Sequence, residues 1–138
     1  MICTFFGHHD CPNSIKENLR DEILNLINSG VKKFYVGNQG NFDSMARKVL
    51  KEFSATYDIQ YSVVLAYMPK ENEEGIENSL LPEGIEKSPP RFAISWRNKW
   101  MIEQSNYVIT YVTHSFGGAA QFKELAEKKG KTVVNLGD

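Results

Sequence analysis

Residues 95–125 read SWRNKWMIEQSNYVITYVTHSFGGAAQFKEL, and the changes of pattern inside this stretch decide the fold. Trp96 with Trp100, and Arg97 with Met101, fall at the i,i+4 spacing of one helix, predicted from about Arg91 to Gln104. An apolar run follows from Tyr107, with a strand predicted over Val108 to Val112. Gly117-Gly118 then opens a second helical pattern, Gly118 to Lys129, with Phe122, Leu125 and Ala126 inward and Glu124 two turns in. A strand that feeds a glycine turn and a helix N-terminus makes a place for an anion. Free backbone N–H groups and the positive end of the helix dipole point at one spot.

The flanking sequence repeats the same alternation. Ile2 to Phe6 is a short apolar run of β-formers closed by Gly7, followed by the loop Gly7 to Pro12. Ile15, Leu19, Ile23, Leu26 and Ile27 share one face of a helix that ends at Gly30, with Ser14 and Glu17 spaced as a capping box. Phe34-Tyr35-Val36 is the second strand, and Met45, Ala46, Val49, Leu50 and Phe53 mark the helix after it. The third strand is centred on Val63-Val64-Leu65, and Thr132 to Leu136 is the fifth. Strand and helix in strict alternation imply an α/β chain of parallel βαβ units. Residues 69–90, rich in Glu, Asn, Gly and Pro, interrupt the pattern and are expected to form an inserted exposed loop. With 138 residues, no repeat and no second pattern, residues 1–138 are read as a single domain.

Composition narrows the partners. The net charge is −1 and 24% of residues are charged, so the basic excess of a nucleic-acid coat is missing and a nucleic-acid partner is not expected. No apolar run approaches the length of a membrane span, and the start MICTFFGHHD lacks a basic leader region. Cys3 and Cys11 are too few for a disulfide framework, and a cytoplasmic protein with reduced thiols is expected.

In an open parallel sheet, ligands sit beyond the carboxyl ends of the strands where strand order reverses. Three loops fall there: Gly7 to Pro12, Gly37 to Asp43 and Thr113 to Gly118. Gly7 and His8 follow the first strand. Gly37 and Gly40 punctuate the second loop, where Asp43 either caps the next helix or meets a ribose or base. Thr113, Ser115 and the backbone amides of Gly118 to Ala120 could hold a phosphate; the plain alternative is a tight turn with no ligand. A G-x-G-x-x-G fingerprint is absent after the first strand, which argues against ordinary NAD-dependent chemistry. Cys3, His8, His9 and Cys11 match no common zinc spacing, so neither a metal nor a cofactor is expected. Arg97 and Glu124 could meet in one cleft, although spacing alone reads them as two solvated charges.

These residues carry a resemblance. Phe116-Gly117-Gly118-Ala119-Ala120-Gln121-Phe122-Lys123-Glu124 is similar to the P-G-G-x-G-T-x-x-E motif of the "lonely guy" (LOG) enzymes. Arg97-Asn98-x-x-Met101 with Ser105 to Ile109 resembles their arginine helix and strand, and Phe6-Gly7-His8 and Gly37-x-x-Gly40-x-x-Asp43 resemble their first two ligand loops. The chain is thereby identified with the SLOG superfamily, which includes the LOG enzymes and the DprA DNA-processing proteins. Among its members the chain most resembles the small bacterial YspA/YpsA-type SLOG-domain proteins. The resemblance implies a Rossmann-like, doubly wound parallel sheet of about five strands with helices on both faces.

For function, the resemblance implies hydrolysis of the N-glycosidic bond of a nucleotide or nucleotide derivative. Arg97 and Glu124 would be catalytic, and Gly117 and Gly118 would bind phosphate with Ala119 and Gln121 beside them. It also implies a homodimer or higher homo-oligomer. Phe116, Ala120 and Gln121 stand where the LOG motif has proline, glycine and threonine. These departures motivate the alternative of a non-catalytic sensor or sequestering protein for a nucleotide-derived signal of the ADP-ribose type.

Overall fold

Alternation along the strands sets the two faces of the sheet. Phe5, Phe34, Val63 and Ile109 belong to one hydrophobic cluster, while Phe6, Tyr35, Val64 and Val108 belong to the other. Neighbouring residues of an extended chain point to opposite faces, so each pair divides between the layers. The computed structural model describes residues 1–68 and 78–137. Its strands are β1 (Ile2–Gly7), β2 (Lys33–Val36), β3 (Gln60–Val64), β4 (Ser79–Leu80), β5 (Tyr107–Tyr111) and β6 (Thr132–Asn135). They form one sheet in the order β4-β3-β2-β1-β5-β6, with every pairing parallel.

Four helices cover this sheet. The first two, α1 (Lys16–Asn28) and α2 (Gly40–Ser54), bury Leu19, Ile23, Met45, Val49 and Leu50 on the Phe5 face. The other two, α3 (Ala93–Gln104) and α4 (Gly118–Lys128), bury Met101, Ile102, Phe122 and Ala126 on the Phe6 face. The sheet is therefore doubly wound, as the resemblance implied. From β1 the chain winds outward to β4, then returns to lay β5 against the other side of β1. Strand order reverses between β1 and β5, and the loops after these two strands must diverge there, opening a crevice.

Two expectations need correction. The exposed loop expected over 69–90 is structured in its second half. Ser79–Leu80 forms the edge strand β4, held by Val63 N–H to Asn78 O at 2.9 Å and Leu65 N–H to Leu80 O at 2.8 Å. Ile85 is buried against Ala66 and Ala93. The sheet thus has six strands where about five were expected, because a two-residue strand leaves no periodic signal. Residues 69–77 lie outside the described residues. The expected capping box on Ser14 does not form: Asn13–Ile15 makes a 3₁₀ turn, and α1 starts at Lys16 with no side-chain cap. No helix among the described residues is long and apolar enough to cross a membrane.

Candidate functional site

A cavity of about 440 Å³ lies where the strand order reverses, walled by the loops after β1 and β5, the start of α2, α3 and the first turn of α4. Of the residues singled out in the sequence, Gly7, His8, Asp43, Arg97, Gly117, Gly118, Ala119 and Gln121 line it. Gly37, Gly40, Thr113, Ser115 and Glu124 do not.

One wall is an anion-binding surface made of backbone. Gly117 has φ of +92°, a left-handed conformation that favours glycine, and it turns the chain from the β5 loop into α4. The amide of Gln121 reaches back to Gly117 O at 3.1 Å. The amides of Gly118, Ala119 and Ala120 precede it in the first turn, where a helix leaves its N–H groups without carbonyl partners. A side chain begun at Gly118 would meet nothing within 4 Å, so this helix end is open. The dipole of α4 adds positive potential at the same place.

Arg97 supplies the cation. It is 1% exposed and the largest fully buried side chain. Its Nη1 donates to Val64 O at 2.9 Å and to Asn38 Oδ1 at 3.2 Å, and its Nε donates to Asn98 Oδ1 at 2.9 Å. Its Nη2 has no hydrogen-bond partner among the described residues, yet no buried side-chain polar atom is orphaned. Nη2 is therefore the donor left over on a residue that lines the cavity. Burial lowers the guanidinium's proton affinity, while Asp43 and Tyr67 oppose that shift. At guanidinium basicity the group stays charged at any ordinary pH.

Asp43 supplies the opposite charge. Its Oδ2 accepts the Gln39 N–H at 3.0 Å, so the capping role anticipated for it is real. Its Oδ1 makes no hydrogen bond among the described residues, and Asp43 lines the cavity while 8% exposed. Burial pushes its pKa up to about 6, against the opposing pull of the Gln39 amide, Arg97, Arg47 and His9. Gly37 does not touch the cavity, but it allows these two groups to approach. A Cβ there would stand 2.7 Å from Asp43 Oδ2 and 3.2 Å from Arg97 Nη1. Gly40 has a similar structural part, since a Cβ there would stand 2.9 Å from the His9 backbone.

Histidines tie the β1 and β5 loops together. Thr113 N–H donates to His8 Nε2 at 3.0 Å, which fixes the neutral tautomer with the proton on Nδ1. Burial, then the neighbouring His114, lowers the His8 pKa, and Asp10 opposes them. The His8 and His114 rings stack with centroids 3.8 Å apart, and His114 stacks on Phe116 at 3.9 Å. Thr113 thus acts by positioning His8 and contributes nothing to the cavity wall.

Glu124 is a correction. It forms an ion pair with Lys128 at 3.2 Å on the solvent side of α4, and its side chain is 67% exposed. The structure does not bring Arg97 and Glu124 together; the carboxyls that share the cavity with Arg97 are Asp43 and Asp10. Sequence reading missed Asn38, Asn98 and the Val64 carbonyl as the cradle of Arg97. The Asn98 position was legible as part of the Arg97-Asn98 motif, whereas a backbone carbonyl leaves no signal. Among the described residues, no group of three or more His, Cys, Asp or Glu is placed to hold a metal ion. Cys3 is fully buried in the core, with its thiol pushed up by burial.

No family model matches this chain, and no curated protein matches it. Solved structures do. DNA processing protein A (DprA) from Streptococcus pneumoniae superposes with a TM-score of 0.73 at 16% identity, over 96% of this chain and 49% of that one. DprA from Helicobacter pylori, whose structure addresses its single-stranded DNA binding mode, gives 0.69 at 14% identity, over 98% and 64%. This chain spans about half of the first and just under two thirds of the second. The likeness shows the fold alone, a doubly wound parallel α/β sheet shared with part of each DprA chain.

Proposed function

We propose that this chain is a small SLOG-domain protein of the YspA/YpsA type that binds a nucleotide-derived anion in the cavity and holds it intact. The observation that carries this reading is that the open start of α4 and Arg97 line one cavity of about 440 Å³. That volume falls within the range of about 300–1,000 Å³ typical of small-molecule sites. A phosphate fits the α4 end, where backbone donors and dipole act together. The α2 start, with Asp43, lies on the other side of β1 from α4. Three of the hydrogen bonds available to Arg97 are spent on the protein, so Nη2 grips the ligand alone.

The binding reading rests on Glu124 as well. Turned to solvent and paired with Lys128, it is badly placed to serve the hydrolysis that the LOG resemblance implies. Hydrolysis of an N-glycosidic bond remains the second reading because Asp43, with a pKa near 6, offers a carboxyl able to exchange a proton near neutral pH. Single-stranded DNA binding is not carried over from DprA, since a net charge of −1 gives little counterion release. By the same resemblance the chain is proposed to form a homo-oligomer, which sedimentation would detect.

Native mass spectrometry of the purified chain, followed by denaturation, tests the proposal alongside a nucleotide panel scored for free base. An intact nucleotide derivative released on denaturation is expected. Free base formed by the wild-type chain and lost in Asp43→Asn would move the assignment to a glycosidase. No binding of any nucleotide would overturn both readings.

A further inference from the structure

Three aromatic rings form a ladder from the cavity to the surface. His8, 8% exposed, stacks on His114 at 3.8 Å and 15°, and His114 stacks on Phe116 at 3.9 Å and 17°. His8 and Phe116 share no ring contact among the described residues, so His114 lies between them with both faces covered. His114 Nδ1 and Phe116 O lie 2.9 Å apart, which holds the 114–116 turn in register. The ladder ends in the open: Phe116 is 70% exposed, and its outer face meets no other ring. Its inner end, His8 and His114, lines the cavity. The next residues along the chain are Gly117 and the open amides of α4.

We propose that the outer face of Phe116 is a base-stacking subsite, so that the ligand is a purine nucleotide whose phosphate sits on α4 and whose base extends the ladder. This rests on the cavity binding a nucleotide-derived anion, as argued above. The preceding rings lie within 17° of parallel, with centroids 3.8 and 3.9 Å apart, and a fourth ring would continue the series. Base-on-aromatic stacking needs only an accessible π-face, and a purine offers a larger one than a pyrimidine. A phosphate at Gly118 lies next to Phe116 in the chain, within the span of one nucleotide. The histidines beneath hold the phenylalanine ring still, so little side-chain freedom is lost when the base arrives.

Equilibrium titration of the full chain with adenosine 5′-monophosphate, uridine 5′-monophosphate and ribose 5-phosphate tests this. The wild-type chain is expected to bind the adenosine nucleotide about tenfold tighter than ribose 5-phosphate, with the uridine nucleotide between them. Phe116→Ala, at an exposed position, is expected to remove that difference and leave ribose 5-phosphate binding unchanged. Phe116→Trp is expected to keep it. Equal binding of ribose 5-phosphate and the adenosine nucleotide to the wild type would overturn the base subsite and leave the cavity reading intact. Failure of all three to bind would overturn both. Unchanged nucleotide binding in Phe116→Ala would also overturn the subsite. If the same variant sedimented as a smaller species than wild type, Phe116 would instead be assigned to contact between copies.

Discussion

Asp43→Asn removes a charge that the fold holds at a cost, and the cost can be worked out. The carboxyl rises from an ordinary 3.8 to about 6 because burial outweighs the Gln39 amide and the nearby cations. Between these two values the native chain keeps a proton that the unfolded chain has lost. Acid therefore favours the native state through this group. Its contribution to stability falls as pH rises from about 4 to about 6 and stays at its minimum above that. At about 1.4 kcal/mol per pH unit, the ionised carboxylate costs the native state about 3 kcal/mol at neutral pH. Asparagine has nothing to titrate there, and its amide oxygen can still accept the Gln39 N–H. Urea unfolding of both chains at pH 4, 5, 6 and 7.5 isolates Asp43, because every other titrating group is common to the two. The variant should match wild type near pH 4 and be more stable by about 3 kcal/mol at pH 7.5. A variant less stable than wild type at pH 7.5 would refute the reasoning and make Asp43 a helix cap and nothing more.

Other perturbations separate the parts of the site. Arg97→Met should cost about 3 kcal/mol in urea unfolding, because Val64 O, Asn38 and Asn98 lose their shared donor. Arg97→Lys should not restore it, since one ammonium cannot span three acceptors. Gly37→Ala places a Cβ against Asp43 and Arg97 and should cost about 1–3 kcal/mol, with nucleotide affinity falling about tenfold by calorimetry. Glu124→Gln should leave stability within about 0.5 kcal/mol and ligand binding unchanged, because an exposed ion pair with Lys128 contributes little. Acidification should lower the protection factor of the Thr113 amide, the exchange rate of an unstructured chain at the same pH divided by its own. The His8 pKa is lowered in the fold, so the unfolded chain gains its proton first as pH drops below the ordinary value of 6.5, and protonated Nε2 no longer accepts the Thr113 N–H.

The helical layers and most of the sheet were legible because their apolar residues recur at periods of 3.6 and 2. Val49 and Leu50 on α2, or Phe5 and Phe6 on β1, declare which layer they enter. The edge strand β4 was not legible, since two residues cannot show a period and Asn78 to Lys87 looks like loop chemistry. At the site, Arg97 and the Gly117-Gly118 turn, both singled out in the sequence, line the cavity wall. Glu124 was misplaced because its height along α4 was counted and its azimuth was not. At about 100° per residue, Gly118, Ala119, Gln121 and Phe122 fall within one arc. Glu124 lies about 60° beyond the edge of that arc at Gln121, towards Lys128. The charge partner of Arg97 was legible only as a choice: Asp43 both caps α2 and faces the cavity. Two oxygens on one carboxyl can do both, which sequence cannot reveal.

The central claim is that backbone amides at the start of α4 and Arg97 hold one nucleotide-derived anion. It is tested most directly by following assigned backbone amide and Arg97 side-chain resonances while ribonucleoside 5′-monophosphates and ADP-ribose are titrated in. Saturable shifts concentrated at Gly118, Ala119 and Ala120, with the Arg97 guanidinium and His8 moving at the same midpoint, are predicted. Shifts confined to other surfaces, or none at ligand concentrations up to the millimolar range, would contradict it.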